Sequence, residues 1–303
     1  METSINQEFE DILNALFVPY YERVPDVQKI SKAMINEGMI QSQNDIVNDH
    51  IAFRTLGVSN LGIRSFEKIF LKHGYIKKDY YHFEAKKLDA FWYAPPSPKF
   101  PRIFMSELKV DHLSNKAQNI IAKYTRNIDL DPVDLLDLDN SKEIGEFFYK
   151  PLWQLPTIQD YNYLLAESEY AAWVIYNRYY LNHYTISVHN LPPTYNTIES
   201  FNSFLESIGI VLNNSGGKIK TSKDGLLKQS STVAEMITAT FADGETMKIP
   251  GSYVEFAERL PLPNANINSS YINDKDRRDG FESANADKIF ESTYNEQTKK
   301  IIR

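Results

Sequence analysis

The chain has 303 residues, which is enough for one large domain or for two domains of ordinary size. It carries 33 Lys and Arg against 40 Asp and Glu, a net charge of −7, which disfavours a general nucleic-acid binder because such proteins need a basic surface to displace phosphate counterions. Cysteine is absent, so disulfides, thiolate nucleophiles and cysteine-built metal sites are excluded, and His, Asp and Glu remain as metal ligands.

The N-terminal residues METSINQEFEDIL are acidic and polar, whereas a secretory signal peptide starts with basic residues and continues with an apolar run. No apolar run approaches the roughly 20 residues that cross a bilayer as a helix. We therefore expect a cytoplasmic protein without membrane or nucleic-acid partners. The sequence leaves its oligomeric state open.

The first 116 residues contain a helical segment followed by a unit that mixes strands with one helix. In residues 1–47 apolar side chains recur at three- and four-residue steps, which predicts amphipathic helices. Residues 48–116 begin with the strand NDHIAFRTL, continue with an amphipathic helix that ends near Gly74, and close with aromatic-rich strand segments. This order is that of a βαβββ module.

The same order returns in residues 182–262, which begin with the strand NHYTISVHNL and continue with an amphipathic helix and further strands. The two units are too far apart for a solenoid repeat, whose period is about 20–50 residues. Residues 117–181 carry mostly helical signals, and residues 263–303 form a C-terminal segment. We predict an α+β fold in which two βαβββ modules form a curved, mostly antiparallel sheet with additional helices.

Two of the six histidines occupy equivalent positions near the start of each module's first strand. Because alternate residues of a strand face the same side, His50 shares a face with Arg54. By the same rule His183 shares a face with Thr185 and Ser187. Polar side chains on otherwise apolar strands must be hydrogen-bonded or coordinated to be tolerated. One such histidine is more often structural than a ligand, so the metal hypothesis depends on the equivalence of the two positions.

A carboxylate completes the pattern. Glu255 lies in YVEFAER, the closing strand of the second module, and two imidazoles with one carboxylate form the triad that binds ferrous iron and leaves three positions open. In the first module we take Glu107, in FMSEL, as the equivalent residue, either as a fourth ligand or as a neighbour of the ligands. The alternative is structural: Glu255 is half of an ion pair, and Arg54 pairs with Glu107.

Four segments carry a resemblance to a known family: NDHIAFRTL, NHYTISVHNL, YVEFAER and the C-terminal DRRDGFESANADKIFEST. Together they resemble the 2-oxoadipate dioxygenase/decarboxylases, which have a glyoxalase-like fold of the vicinal oxygen chelate superfamily with paired βαβββ modules around a metal. The resemblance covers most of the chain, from about Asn48 onward.

The resemblance also implies an activity and a set of site residues. The enzyme would use Fe(II) and O2 to convert 2-oxoadipate, or a similar dicarboxylic 2-oxo acid, to 2-hydroxyglutarate and CO2, as in lysine degradation. No catalytic residue is implied beyond the metal site, and residues 263–303 would close over the substrate. The implied metal ligands are His50, His183 and Glu255, and the implied substrate-binding residues are Arg54, Gln229 and Ala284.

Two other interpretations stay open. One is a glyoxalase- or isomerase-like metalloenzyme that uses Glu107 as a fourth ligand and performs no oxygen chemistry. The other is a non-catalytic small-molecule binding protein of the same fold. Two imidazoles and a carboxylate also suit Mn, Co or Zn, so the sequence leaves open the metal, the exact 2-oxo acid, the product stereochemistry and the role of residues 117–181.

Overall fold

The structure, a computed structural model, describes residues 2–265 and 272–300. The strands within these ranges are β1 Asn48–Leu56, β2 Ile76–Phe83, β3 Leu88–Ala94, β4 Arg102–Leu108, β5 His183–Ser187, β6 Lys220–Thr221, β7 Leu227–Ser231, β8 Met236–Thr240, β9 Thr246–Pro250 and β10 Tyr253–Arg259. The α-helices within them are α1 Glu2–Arg23, α2 Pro25–Asn36, α3 Ile63–Lys72, α4 Asn115–Thr125, α5 Ser141–Phe147, α6 Ile158–Glu167, α7 Glu169–Asn177, α8 Ile198–Ser207, α9 Ser283–Phe290 and α10 Asn295–Thr298.

Eight strands form one curved sheet in the order β2-β3-β4-β1-β5-β10-β7-β6, and β8 and β9 form a separate hairpin. The two halves of the sheet repeat the same arrangement, because β1, β2, β3 and β4 correspond to β5, β6, β7 and β10. At the centre β1 and β5 pair antiparallel, and each pairs in parallel with the closing strand of its own module. The predicted pair of βαβββ modules is therefore confirmed, with the β8–β9 hairpin inserted into the second.

The central strands are buried on both faces, and the two faces of β1 differ in chemistry. On one face Phe53 packs against Phe66 of α3, with ring centroids 4.8 Å apart. The opposite face carries His50 and Arg54, which are also buried. Because side chains alternate along a strand, one sequence supplies both an apolar core and a polar site.

The helices cover the sheet and enclose the polar face. In α3 the residues Phe66, Ile69 and Phe70 are fully buried, as their helical spacing predicts. Helix α9, which lies in the C-terminal segment, packs against β2, β6 and β7, which belong to both halves of the sheet. Helix α9 therefore covers the polar face of the central strands.

No helix among residues 2–265 and 272–300 is long and apolar enough to span a bilayer.

Candidate metal centre

The side chains of His50, His183 and Glu255 meet at the centre of the sheet. They extend from β1, β5 and β10, which are neighbours, and all three are buried. Oε2 of Glu255 lies 3.0 Å from Nε2 of His183 and 3.3 Å from Nε2 of His50. The donor atoms of the three residues lie within 4.8 Å of one another. His183 and Glu255 follow His50 by 133 and 205 positions in the sequence (183 − 50 and 255 − 50). The pairing of β1 with β5, and of β5 with β10, brings the three residues together.

The side chain that precedes each histidine lies within hydrogen-bond distance of its ring. Nδ1 of His50 lies 2.9 Å from Oδ2 of Asp49, and Nδ1 of His183 lies 3.1 Å from Oδ1 of Asn182. With Nδ1–H donating to these oxygens, both rings present the unprotonated Nε2 toward Glu255, which is the tautomer a metal ligand needs. This repeated pair of side chains was visible in the sequence as DH and NH at equivalent strand positions.

Electrostatics keep the carboxylate ionised. Burial raises the pKa of Glu255, but the two imidazoles outweigh it and lower that pKa to about 2. Burial lowers the pKa of His50, but Glu255 and Asp49 outweigh it and raise that pKa above its usual value. The pKa of His183 is lowered, because the effect of burial there is larger than the opposing effect of Glu255. A carboxylate and two imidazoles, one of which gives up its proton readily, are the ligands that a divalent cation binds.

The donor set fits a metal ion. Adjacent ligands that each lie about 2.1 Å from an ion are about 3 Å apart, which matches the spacing of the donor atoms around Glu255. Two imidazoles and one carboxylate suit Fe(II), Mn, Co or Zn, and as three protein ligands they leave further positions for a substrate. Among the described residues this group is the one that could hold a metal ion.

The expected equivalence of Glu107 and Glu255 is wrong. In the parallel pairing of β5 with β10, Glu255 lies opposite the residue two positions after His183. In the pairing of β1 with β4, the residue two positions after His50 lies opposite Phe104. A cavity lies beside His50, His183 and Glu255, and the apolar ring of Phe104 lines it where a fourth ligand would have been expected.

Glu107 instead corresponds to Glu258, and both carboxylates bind the start of a helix. Glu107 accepts a hydrogen bond from the backbone N–H of Ile63 at 2.7 Å, and Glu258 accepts one from that of Ile198 at 2.8 Å. These are the first residues of α3 and α8, whose N–H groups have no partner within the helix. The alternative that Glu107 pairs with Arg54 is likewise wrong, because Arg54 makes other contacts.

Arg54 lines the cavity beside the three metal-ligand candidates and is 1% exposed. Its guanidinium donates to Oγ1 of Thr293 at 3.0 Å and to the carbonyl of Phe290 at 3.1 Å. Its Nε is buried and has no hydrogen-bond partner among the described residues, and the same is true of the Tyr253 hydroxyl. Two unpaired polar groups on the wall of one cavity are what an oxygen-bearing ligand would satisfy.

Of the two other expected substrate-binding residues, Gln229 lines the cavity and Ala284 does not. Gln229 lines the cavity, donates from Nε2 to Oε1 of Glu255 at 2.6 Å, and accepts a hydrogen bond from Asn285 at 2.9 Å. Ala284 does not line the cavity and is exposed, which corrects the expected contact with substrate. Successive residues of a helix point about 100° apart, so the inward positions of α9 are held by Ala286, Ile289 and Phe290 instead.

Two further residues at the site were not named as site residues from the sequence. The ring of Tyr253 packs against that of His183 at a tilt of 32°, with ring centroids 4.6 Å apart, and its place two residues before Glu255 was a signal for a shared strand face. Phe281 lies edge-on to His50 with centroids 4.8 Å apart. It approaches from the C-terminal segment, and no local pattern in the sequence predicts that contact.

Comparisons with known proteins identify the family of this chain. The family model described as 2-oxoadipate dioxygenase/decarboxylase matches residues 12–273. The chain is 43% identical over 306 residues to the chloroplastic 2-oxoadipate dioxygenase/decarboxylase of Arabidopsis thaliana, covering 96% of this chain and 79% of that protein. It is 41% identical to the hydroxyglutarate synthase of Oryza sativa, solved in complex with 2-oxoadipate, with a TM-score of 0.88 over 99% of this chain and 96% of that one.

The expected cytoplasmic location is wrong. It is contradicted by the Arabidopsis relative, which is named as a chloroplastic protein.

A more distant structure shows the fold alone. A protein of Ralstonia eutropha JMP134 described as a member of the glyoxalase superfamily is 22% identical and superposes with a TM-score of 0.67, covering 82% of each chain. Its likeness agrees with the paired βαβββ modules found here. From the family match and the two relatives above 40% identity, the chain belongs to the 2-oxoadipate dioxygenase/decarboxylase family.

Proposed function

We propose that this protein converts 2-oxoadipate and O2 to 2-hydroxyglutarate and CO2 at a ferrous ion held by His50, His183 and Glu255. The observation that carries the proposal is the convergence of these three donor atoms in a chain of this family. The rice relative, which shares 41% of its residues with this chain, was solved with 2-oxoadipate bound. The reaction balances, because the carboxylate next to the keto group leaves as CO2 and both atoms of O2 enter the remaining five-carbon acid, one in its new carboxylate and one in its hydroxyl group.

A ferrous ion would supply open positions for the carboxylate and keto oxygens of a 2-oxo acid and for O2. The electrons that reduce O2 would come from the substrate, through its decarboxylation and its hydroxylation. The protein's own residues would bind and orient the substrate. Arg54 suits the distal carboxylate of a dicarboxylic acid, because its guanidinium places a fixed positive charge on the wall of the cavity and its buried Nε is unpaired. The unpaired hydroxyl of Tyr253 would donate a further hydrogen bond.

We further propose that residues 263–303 close the site. In the described part of this segment, Phe281, Ile289 and Phe290 present apolar side chains to the cavity. They would exclude water from the reacting oxygens, which strengthens every electrostatic interaction inside. Residues 266–271 and 301–303 lie outside the described residues. The segment 117–181 would support the site from behind, since Tyr170 and Trp173 each place a ring 5.1 Å from the Arg54 guanidinium.

The proposal includes a division of the chain into segments. We propose an N-terminal helical segment over 1–47 and βαβββ modules over 48–116 and 182–262, with the helical insertion between them. The two modules would act as one unit, because each supplies at least one metal ligand.

The reaction can be tested by loading the apoprotein with Fe(II) under anaerobic conditions and adding 2-oxoadipate with O2. We expect O2 uptake together with formation of 2-hydroxyglutarate, and loss of both in His183→Ala. Glu107→Gln is the matched control and should keep activity, because this carboxylate contacts α3 and not the cavity. Conversion of substrate without O2 uptake would favour an isomerase-like enzyme, and binding without conversion would favour a binding protein.

A further inference from the structure

We propose that Asp49 is a positioning residue of the metal centre: it fixes the ring of His50, and Arg259 in turn fixes Asp49. The inference rests on the proposed metal site at His50, His183 and Glu255. It concerns two side chains that contact neither the substrate cavity nor, directly, the ion.

An irregularity in β1 brings Asp49 to the side of His50. Asn48 lies opposite Ile186 of β5, yet His50 lies opposite Thr185, so two steps along β1 match one step along β5. Asp49 is therefore the extra residue of a β-bulge. Neighbouring side chains of a regular strand point to opposite faces, whereas a bulge redirects one of them. The bulge allows the Asp49 carboxylate to reach the imidazole of the next residue.

Both oxygens of Asp49 have charged or polar partners. Oδ2 lies 2.9 Å from Nδ1 of His50 and accepts from Nη2 of Arg259 at 2.9 Å, and Oδ1 accepts from Nε of Arg259 at 2.6 Å. The side chains of Asp49 and Arg259 are 1% and 2% exposed. Two parallel hydrogen bonds from a planar guanidinium hold a carboxylate in one orientation, so the position of the His50 ring is also defined.

Arg259 connects this pair to the C-terminal segment. Its Nη1 donates to the carbonyl of Arg278 at 3.0 Å and to that of Gly280 at 2.8 Å. The next residue, Phe281, packs edge-on against the other side of the His50 ring. The ring of His50 is thus held by a hydrogen bond at Nδ1 and by an aromatic contact, and Arg259 takes part in placing both.

The second module lacks this anionic support. Nδ1 of His183 meets the neutral amide of Asn182, whose own Nδ2 has no hydrogen-bond partner among the described residues. A carboxylate on the far nitrogen makes an imidazole a stronger donor to a metal than a neutral amide does. We therefore infer that the two histidines are unequal and that His50 depends more on its neighbour.

A purely structural role makes a different prediction. A buried ion pair that only held the C-terminal segment would, when broken, lower the melting temperature of the apoprotein and leave the metal affinity of the folded protein unchanged. A positioning role also lowers that affinity and changes the ligand field of the bound ion. Partners of this kind typically affect metal affinity by about 10–100-fold.

The test uses Asp49→Asn, which keeps the shape of the side chain and removes its charge. Co(II) is titrated into the full-length apoprotein, and its visible absorption spectrum and dissociation constant are recorded with the melting temperature of the apoprotein. Glu258→Gln is the control, because it removes a buried carboxylate next to Arg259 in β10 that contacts α8 and not a metal ligand. His183→Ala reports on the metal site itself.

We expect Asp49→Asn to bind Co(II) about 10–100-fold more weakly than the wild type and with a shifted spectrum. Glu258→Gln should bind normally with a lower melting temperature. Folded Asp49→Asn with the wild-type affinity and spectrum would overturn the inference alone. Wild-type protein that binds no Co(II), or that binds it as His183→Ala does, would overturn the proposed metal site and the inference with it.

Arg259→Lys decides the matter if Asp49→Asn does not fold. Lysine keeps the charge but cannot hold both carboxylate oxygens, so the orientation of Asp49 becomes less fixed. A several-fold weaker Co(II) affinity in this folded variant would support the inference. An unchanged affinity and spectrum would overturn it.

Discussion

Arg54 shows how one buried side chain combines a structural and a functional role. Two of its nitrogens hold the C-terminal segment through Phe290 and Thr293, and its Nε remains unpaired at the cavity. The sequence placed Arg54 on the face of His50 but could not show the partners from residues 290–293, which are more than 230 positions away. A substitution here therefore has two separable effects, one on stability and one on the substrate.

We predict that Arg54→Ala lowers kcat/KM for 2-oxoadipate by about 30-fold or more, which corresponds to the roughly 2 kcal/mol lost when one partner of a buried charge pair is removed. Metal content should stay near that of the wild type, and the melting temperature should fall. Arg54→Lys should restore little, because a point charge does not replace a planar fork. A folded Arg54→Ala variant that still prefers 2-oxoadipate over monocarboxylic analogues would remove Arg54 from the substrate site.

The charge state of His50 gives the metal centre a pH dependence. Because Glu255 and Asp49 raise the pKa of His50, a proton competes with the metal at higher pH than for an ordinary histidine. Metal affinity should therefore be full above that pKa and fall as the pH decreases through it, by about tenfold per pH unit. Titrations with Co(II) between about pH 8 and pH 5 would show the decline. An affinity that is constant over this range would contradict the ligand role of His50.

At the scale of elements, the first residues of α3 and α8 donate hydrogen bonds to two equivalent carboxylates, those of Glu107 and Glu258. Glu107 lies beside Gly62, where an added Cβ would overlap with its Oε2, so glycine is required for the contact with Ile63. The sequence could not separate this role from metal binding. Glu255 is the third residue of β10 and Glu107 the sixth of β4, so they face opposite sides, but that distinction appears only once the strand bounds and register are known.

We predict that Gly62→Ala destabilises the protein by about 1–3 kcal/mol, the usual cost of inserting a methyl group into a packed site. Chemical denaturation of the apoprotein measures this loss, and metal affinity should not change. In the Glu107→Ala background the added methyl group has room, so Gly62→Ala should cost less there. Equal costs in both backgrounds would show that Glu107 is not what limits the space at Gly62.

The elements that the sequence predicted well are those with strong periodicity or repeated order. The helical spacing of Phe66, Ile69 and Phe70 was sufficient to predict α3, and the repeated order of strands and helix predicted the modules. The hairpin β8–β9 was missed, because LLKQSSTVAEMITATFADG has no Gly or Pro where β7 ends and therefore reads as one continuous strand.

At the scale of the whole molecule, the site exists because two modules join through β1 and β5. His50 comes from the first module, His183 and Glu255 from the second, and α9 encloses the cavity between them. Equivalent histidines in a duplicated unit allowed the sequence to suggest the ligand set that we propose. The contacts of the C-terminal segment depend on long-range packing, and for this reason the sequence did not show that Ala286, and not Ala284, lines the cavity.

The central claim is that one metal centre of these three ligands uses O2 to convert 2-oxoadipate. The most direct measurement is turnover under ¹⁸O2 with mass spectrometry of the product. The CO2 that leaves carries both oxygens of the original carboxylate next to the keto group, so both atoms of O2 must remain in 2-hydroxyglutarate. We predict doubly labelled 2-hydroxyglutarate from the Fe(II)-loaded wild type and none from His183→Ala. Unlabelled product, or the same labelled product from His183→Ala, would contradict the claim.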